Sequence, residues 1–268
     1  MNHNFVFFYS EGPPKDDGAQ LSYCKDKIIE TNKAYYDNIS FYTPSILKKI
    51  GYKESVKKHK VTSINKIYKP MCNIGLSAWK PLILLLELEK MNEGDILLYR
   101  DADYKKQPSI LSDNTNIISI LHKCLRSCKF DLFIPREIPK IKTGEYTKPI
   151  VIRDIANDSA FAKNFPLLIC NFVLVRKSKI SIELLKEWWH YCKIDKYING
   201  ETYNVTNKVF LNKWHTNEQS IINTIIANWI EQKKYGIPKK YPTIGFKWRN
   251  PNRIVKLKNY NYLKLLKK

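Results

Sequence analysis

The chain has 268 residues and a formal net charge of +21, and 44% of its residues are hydrophobic. This length suits one large or two small domains, and the apolar content is ample for a hydrophobic core. A protein class without a folded core is therefore excluded. No run reaches the roughly 18 uninterrupted apolar residues that a membrane-spanning helix needs. Polar residues follow Met1 where a secretion signal would be basic. We therefore expect a soluble, unsecreted, cytoplasmic protein.

The positive charge is concentrated near the end of the sequence. Residues 231–268 contain twelve lysines and arginines against Glu231 alone, which leaves +11. Such a segment attracts nucleic acid, anionic membranes and phosphorylated substrates alike, and a solvated lysine-rich face is a further interpretation. We expect residues 239–268 to act near substrate phosphates or on an anionic carrier, and not to bind DNA.

The cysteines form no metal or disulfide pattern. Residues 124 and 128 fall inside an apolar helical pattern, and no C-x-x-C pair occurs. Reduced, mostly buried thiols are therefore favoured over a disulfide or zinc framework. The six are Cys24, Cys72, Cys124, Cys128, Cys170 and Cys192.

The predicted elements begin with a strand over residues 5–10, followed by a Gly-Pro-Pro loop. In open α/β sheets, ligands collect beyond the carboxyl ends of the strands. Phe8, Tyr9 and Ser10 are thus placed where a nucleotide base would bind, although Phe7 or Phe8 is expected in the core because successive side chains point to opposite faces. An amphipathic segment over 21–37 and a short strand over 39–42 come next.

A buried helix then leads into a buried strand. Pro81 suits a first helical turn, and a broad leucine-rich side follows it. Lys80, at the helix start, either reaches a ligand phosphate or is a solvated lysine. Gly94 is expected to stop this helix, and residues 96–99 form the apolar strand.

Two carboxylates follow that strand, in the order Asp101, Ala102, Asp103. In an extended or tightly turned segment, this spacing lets both carboxylates face one hard cation or one polyphosphate. Because an aspartate side chain also bonds the backbone two residues on, the same letters fit a plain strand-ending turn.

The second half alternates strands and helices, which favours an α/β fold. Helices are predicted over 115–128, 178–192 and 216–234, strands over 131–135 and 171–175, and a loop over 136–166. In the last helix, Thr216 and Gln219 match a capping box. Glu218 lies in its first turn, where the helix dipole stabilises a carboxylate. His215 lies three residues before it. Glu218 is therefore a candidate for contacting a substrate hydroxyl or a bound metal.

Residues 77–104, SAWKPLILLLELEKMNEGDILLYRDADY, resemble the GT-A glycosyltransferases that use nucleotide-sugar donors. In that superfamily, a leucine-rich helix led by Trp/Lys runs through an acidic-Gly-Asp turn into a strand that ends in D-x-D. Four other segments resemble, in the same order, a loosely characterised bacterial and viral branch. They are TNKAYYDNISFY at 31–42, TKPIVIRD at 147–154, NFVLVRKSKISIELLKEWW at 171–189 and HTNEQS at 215–220.

The resemblance implies a single GT-A domain over 1–268 with a mixed, mainly parallel sheet. Its donor-binding part would be about 1–110, its acceptor side about 130–235, and 236–268 a basic C-terminal segment. The activity implied is metal-dependent transfer of a sugar from a nucleotide sugar, with a UDP-sugar as first choice, to a hydroxyl of a glycan or glycoconjugate. The role implied is polysaccharide or glycoconjugate synthesis in the cytoplasm, that of the host if the chain is viral.

The implied site residues fall into three groups. The donor would contact Phe8, Tyr9, Ser10, Lys80, Asp101, Ala102 and Asp103. Mn²⁺ or Mg²⁺ would be held by Asp101 and Asp103, with His215 or water as the third ligand, because no histidine follows His215. The acids implied for catalysis are Glu218 and Asp154.

Two other classes of function compete with this interpretation. A basic, aromatic-rich module that binds nucleic acid or an anionic surface would use the D-x-D as a turn. A metal-dependent nuclease or phosphotransferase would use the same aspartates, but the sequence lacks the additional clustered acids of a two-metal site.

Overall fold

Five short apolar segments pair into one sheet. The computed structural model describes residues 1–8, 22–52, 77–101, 122, 125–126, 130–134, 141–198 and 215–232, and the strands at 241–247 and 250–260. The strands of the sheet are β1 (His3–Phe8), β2 (Asn38–Tyr42), β3 (Ile96–Asp101), β4 (Leu132–Phe133) and β5 (Phe172–Arg176). Their order across the sheet is β2-β1-β3-β5-β4.

Four of these strands run in one direction and one runs against them. β1 is parallel to both β2 and β3, whereas β5 is antiparallel to both β3 and β4. Their continuous apolar sequences suit strands that are covered on both faces. The prediction of a mixed α/β sheet is confirmed.

Eight helices lie between and after these strands in the described part of the chain. They are α1 (Ser22–Asn32), α2 (Pro44–Lys49), α3 (Lys80–Lys90), α4 (Pro149–Ala156), α5 (Ala160–Asn164), α6 (Lys179–Cys192), α7 (Asp195–Ile198) and α8 (Asn217–Glu231), with a 3₁₀ turn at Thr143–Glu145. Two further strands, β6 (Tyr241–Lys247) and β7 (Asn250–Tyr260), form a separate antiparallel pair. None of the described helices is long and apolar enough to cross a membrane.

Successive side chains of β1 point to opposite faces of the sheet and contact different parts of the chain. On one face, the rings of Phe5 and Tyr36 lie 5.2 Å apart, centroid to centroid. On the other face, Phe8 stacks on Trp79, the residue before α3, at 3.7 Å. Phe7 and Phe8 are both buried, on opposite faces. Helix α6 packs against both α3 and α8, and the Trp79 contact places the start of α3 on the Phe8 face.

The predicted loop over 136–166 is wrong for most of its described length. The 3₁₀ turn at Thr143–Glu145 and helices α4 and α5 lie within residues 143–164, with short connections between them. Pro149 stands in the first turn of α4, where its missing N–H costs no helical hydrogen bond, so it begins the helix and does not break it. Val151, Ile152 and Ile155 then bury one side of that helix.

Two predicted helix boundaries also differ from the structure. Helix α3 ends at Lys90, before Gly94, which has φ +87° inside the turn that follows. At the start of α8, the Thr216 side chain caps no backbone N–H. Thr216 pairs instead with the hydroxyl of Ser220 at 2.8 Å, and Gln219 Oε1 accepts the N–H of Cys170 at 3.0 Å. The capping box is therefore absent, because Gln219 bonds a distant segment.

The described cysteines agree with the expectation of reduced thiols. Cys170 and Cys192 are free and buried. The helix predicted over 115–128 lies outside the described residues except at His122, Leu125 and Arg126, which are helical.

Candidate active site

The carboxyl ends of β1, β2 and β3 meet at one edge of the sheet. Phe8 is the register partner of Tyr42 on β2 and of Asp101 on β3. The chain enters β5 at the same edge, where the Asp101 N–H donates to the carbonyl of Asn171 at 3.0 Å. Ligand sites of α/β sheets form beyond such strand ends. Asp101, the first acid of the D-x-D, therefore lies where the sequence pattern predicts a site.

Lys80 joins three distant segments at this edge. Its Nζ donates to Glu218 Oε1 at 2.9 Å and to the carbonyl of Cys170 at 3.0 Å, and lies 3.4 Å from Asp101 Oδ1. The residue is 3% exposed. The alternative of a solvated lysine at the helix start is therefore wrong.

Burial and charge act against each other in this cluster. Burial lowers the pKa of Lys80, but the carboxylates of Asp101 and Glu218 outweigh burial and raise that pKa above its ordinary value. Burial raises the pKa of Glu218, and the Lys80 ammonium only partly offsets the rise. Lys80 thus stays protonated, and Glu218 takes up a proton more readily than an exposed glutamate does.

The buried side chain of Tyr99 fixes the carboxylate of Asp101 by a hydrogen bond. The two residues lie two apart on β3 and so share a face of the sheet, and the Tyr99 hydroxyl donates to Asp101 Oδ1 at 2.5 Å. Lys80 Nζ lies 5.2 Å from the centre of the Tyr99 ring. Both contacts that Asp101 makes with described side chains fall on Oδ1, and its side chain is 45% exposed. We did not assign Tyr99 from the sequence, although its i,i+2 spacing to Asp101 was the available signal.

The start of α8 is anchored to the core around Glu218. The Trp188 indole donates to the Glu218 carbonyl at 2.9 Å, and Asn217 Nδ2 donates to the carbonyl of Ile198 at 2.8 Å. Asn217 itself has φ +47°, a left-handed conformation that asparagine tolerates. These bonds, together with that of Gln219 to the segment before β5, hold the Glu218 side chain against Lys80 and not in solvent.

Phe8 is less accessible to a nucleotide base than the sequence suggested. Its ring is 7% exposed and is covered on one side by Trp79. The other predicted members of this group, Tyr9, Ser10, Ala102 and Asp103, lie outside the described residues.

His215 is held by the backbone through both ring nitrogens. Nδ1 accepts the N–H of Lys148 at 3.3 Å, so Nε2 carries the hydrogen and donates to the Tyr197 carbonyl at 2.8 Å. Burial lowers the pKa of His215 to about 3, and the ring is therefore neutral. Although His215 lies three residues before Glu218, both of its ring nitrogens bond to backbone groups of other residues. With both nitrogens engaged, the ring as placed offers no lone pair to a metal.

Asp154 lies in a different cluster. Arg153 Nε is 2.8 Å from its Oδ1, while Lys196 Nζ and the Tyr197 hydroxyl donate to its Oδ2 at 3.0 and 2.9 Å. The hydrogen bonds from Arg153 and Lys196 hold the pKa of Asp154 well below its usual range. Its contacts are with α4 and α7, and none is with Lys80, Asp101 or Glu218.

Among the described residues, Asp101 is a candidate ligand for a hard cation at this edge. Among them, no three His, Cys, Asp or Glu side chains are grouped as metal ligands are. Asp101 fits a ligand's role, since its carboxylate is fixed and half exposed. A cation there would need further oxygens from Asp103, from water or from a bound diphosphate.

Comparisons with protein-family models, with curated proteins and with solved structures found no match to this chain.

Proposed function

We propose that the protein transfers a glycosyl group from a nucleotide sugar to an acceptor hydroxyl. One observation carries the proposal: Asp101 and Glu218 both lie within 3.4 Å of the Lys80 ammonium, and all three residues were selected from the sequence for this chemistry. Lys80 and Asp101 come from the consecutive elements α3 and β3, whereas Glu218 comes from α8, 138 positions after Lys80. Their meeting point is the strand-end edge where α/β folds bind ligands.

The proposed roles follow from charge and exposure. Asp101 faces the diphosphate of the donor, and Mn²⁺ or Mg²⁺ bound to it would neutralise the charge that develops on the leaving diphosphate. Tyr99 and Lys80 hold Asp101 Oδ1, so that the carboxylate presents its other oxygen outward. Lys80 adds a fixed positive charge beside the Asp101 carboxylate.

Glu218 is the proposed general base. A base works best when its pKa approaches the working pH, and burial moves the pKa of Glu218 in that direction. Lys80 Nζ fixes the side chain by its bond to Oε1. In this role, Glu218 accepts the proton of the acceptor hydroxyl as that oxygen attacks the sugar carbon.

Calorimetric titration of nucleotide sugars with and without Mn²⁺ tests the proposal, with UDP-sugars first. We expect Mn²⁺-dependent binding that is lost in Asp101→Asn. The matched control is Asp131→Asn, since Asp131 pairs with Arg176 at 2.9 Å at the opposite end of β5. Its positive φ of 53° is one that asparagine accepts.

Unchanged binding by Asp101→Asn would contradict the assignment of Asp101. A second outcome would favour the basic binding module: no affinity for any nucleotide sugar, together with tight, steeply salt-dependent binding to duplex DNA or to anionic vesicles.

A further inference from the structure

Two histidines face each other at the other end of the sheet. His3 begins β1, and His122 belongs to a helical part of the chain 119 positions away. Their Nε2 atoms are 3.0 Å apart, with ring centroids 5.2 Å apart and planes at 81°. One Nε2 therefore carries the hydrogen and the other accepts it. If the ring that carries this hydrogen moves it to its own Nδ1, both Nε2 lone pairs face nearly the same point, as two histidine ligands of one metal do.

A carboxylate lies beside one of these rings, on the side away from the other. His3 Nδ1 lies 3.7 Å from Asp37 Oδ2, and that same oxygen accepts the backbone N–H of His3 at 2.7 Å. Asp37 is therefore fixed beside the nitrogen that faces away from His122. A carboxylate on the second nitrogen of a histidine is the usual support of a metal-bound imidazole, since it orients the ring and increases its basicity.

The pair is separate from the candidate active site. His3 is the register partner of Ile96, the first residue of β3, whereas Asp101 is the last. Five residues of extended strand span about 17 Å. The side chain of His3 is 20% exposed, so water can reach the pair and complete a coordination shell.

The charges around the pair partly offset one another. Arg176 and Arg126 bring positive charge near His122. The two arginines oppose a cation, but Asp131 pairs with Arg176 at 2.9 Å and Asp37 lies beside His3, so carboxylates offset part of this charge.

We propose that His3 and His122 form a binding site for a divalent transition metal of the zinc class, with water completing the coordination. Imidazole nitrogens suit Zn²⁺, whereas Mn²⁺ and Mg²⁺ prefer oxygen ligands. The site would clamp the start of β1 to the helical segment of His122. It is independent of the glycosyl-transfer proposal.

The test is a calorimetric titration of the full chain with Zn²⁺ alone near neutral pH. We expect a binding step of one ion per chain that disappears in both His3→Ala and His122→Ala. Asp37→Asn should weaken this step by about tenfold. His190→Ala is the matched control, since His190 packs against Tyr191 by a ring contact at 5.1 Å, and should leave the step intact.

NMR of the wild-type chain gives a second readout that needs no variant to fold. Zn²⁺ should shift the Nε2 resonances of His3 and His122 together and leave those of His190 and His215 in place. Either of two results would overturn the proposal: a wild-type chain that binds no Zn²⁺, or a binding step that survives His3→Ala.

Discussion

Two clusters of charged side chains contain the acids of interest, and they differ chiefly in burial. Around Glu218, one buried ammonium pairs with two carboxylates, and the glutamate is 7% exposed whereas the Asp101 side chain is 45% exposed. Around Asp154, two cationic side chains and a tyrosine hydroxyl donate hydrogen bonds to one carboxylate near the surface. The pKa of Glu218 is raised because burial outweighs its single partner, whereas that of Asp154 is lowered by its hydrogen-bonding partners.

This difference separates two uses of an acid. A carboxylate with a strongly lowered pKa is a weak proton acceptor, and its hydrogen-bonding capacity is already taken by its neighbours. A buried carboxylate with a raised pKa accepts a proton readily. The comparison therefore favours Glu218 over Asp154 for the proposed role of general base, and variants in the two clusters should differ in their effects.

The largest expected effect is on stability, from removal of the shared ammonium. Lys80→Met leaves Glu218 buried without its cation, and breaking a buried ion pair in this way costs about 3–5 kcal/mol in the free energy of unfolding. Lys196→Met removes an exposed cation from Asp154 and should leave that free energy unchanged within error. Chemical denaturation measures both.

A double variant checks the cause of this loss. Lys80→Met combined with Glu218→Leu removes both charges and should recover most of the stability, since apolar replacement of a buried pair is often neutral. If Lys80→Met alone unfolds as the wild type does, the cluster is not the tightly coupled buried pair described above.

The second effect is on turnover. Glu218→Gln should bind the donor normally and transfer the sugar at least about 100-fold more slowly, because removal of a general base typically costs 10² to 10⁴ in rate. Asp154→Asn should transfer at close to the wild-type rate. The product anomer, determined by NMR, gives the stereochemistry. Near-wild-type transfer by Glu218→Gln would reverse the order of the two acids.

The third effect is a loss of positioning. Tyr99→Phe removes the hydrogen bond to Asp101, which should lower the free energy of unfolding by about 1 kcal/mol and weaken Mn²⁺-dependent donor binding by about tenfold. Tyr197→Phe is the control, because the Tyr197 hydroxyl donates to Asp154 at 2.9 Å, in the other cluster. It should lose similar stability and bind the donor as before. Equal donor affinity in both variants would reduce Tyr99 to a core residue.

The sequence was informative where local patterning decides the structure. Apolar runs and strand-end acids located β1, β3 and Asp101, and the isoleucine spacing located α8. Tertiary contacts decided the rest. Nothing local shows that Lys80 turns inward to Glu218, 138 positions away, or that Gln219 leaves its own helix for Cys170. The prediction of a loop over 136–166 failed because proline occurs in loops and also begins helices, and Pro149 begins α4.

The smallest expected effect is an opposite response of the two acids to pH. The folded-state pKa of Glu218 lies above its unfolded value, so the folded chain binds its proton first as pH falls. The stability of the wild type relative to Glu218→Gln should therefore increase as pH falls through that raised pKa toward the unfolded one. For Asp154 the folded-state pKa is the lower one. The stability it contributes is present above the unfolded pKa and is lost as pH falls below that value.

Unfolding free energies of wild type, Glu218→Gln and Asp154→Asn, measured from neutral to acidic pH at constant ionic strength, give the two difference curves. We expect slopes of opposite sign. Both slopes should be small, because each comes from one proton, and the Asp154 slope should shrink further in high salt, since its partners Arg153 and Lys196 are exposed and screened. Slopes of the same sign would mean that the Lys80 ammonium, and not burial, sets the pKa of Glu218, which would remove the electrostatic argument for Glu218 as the base.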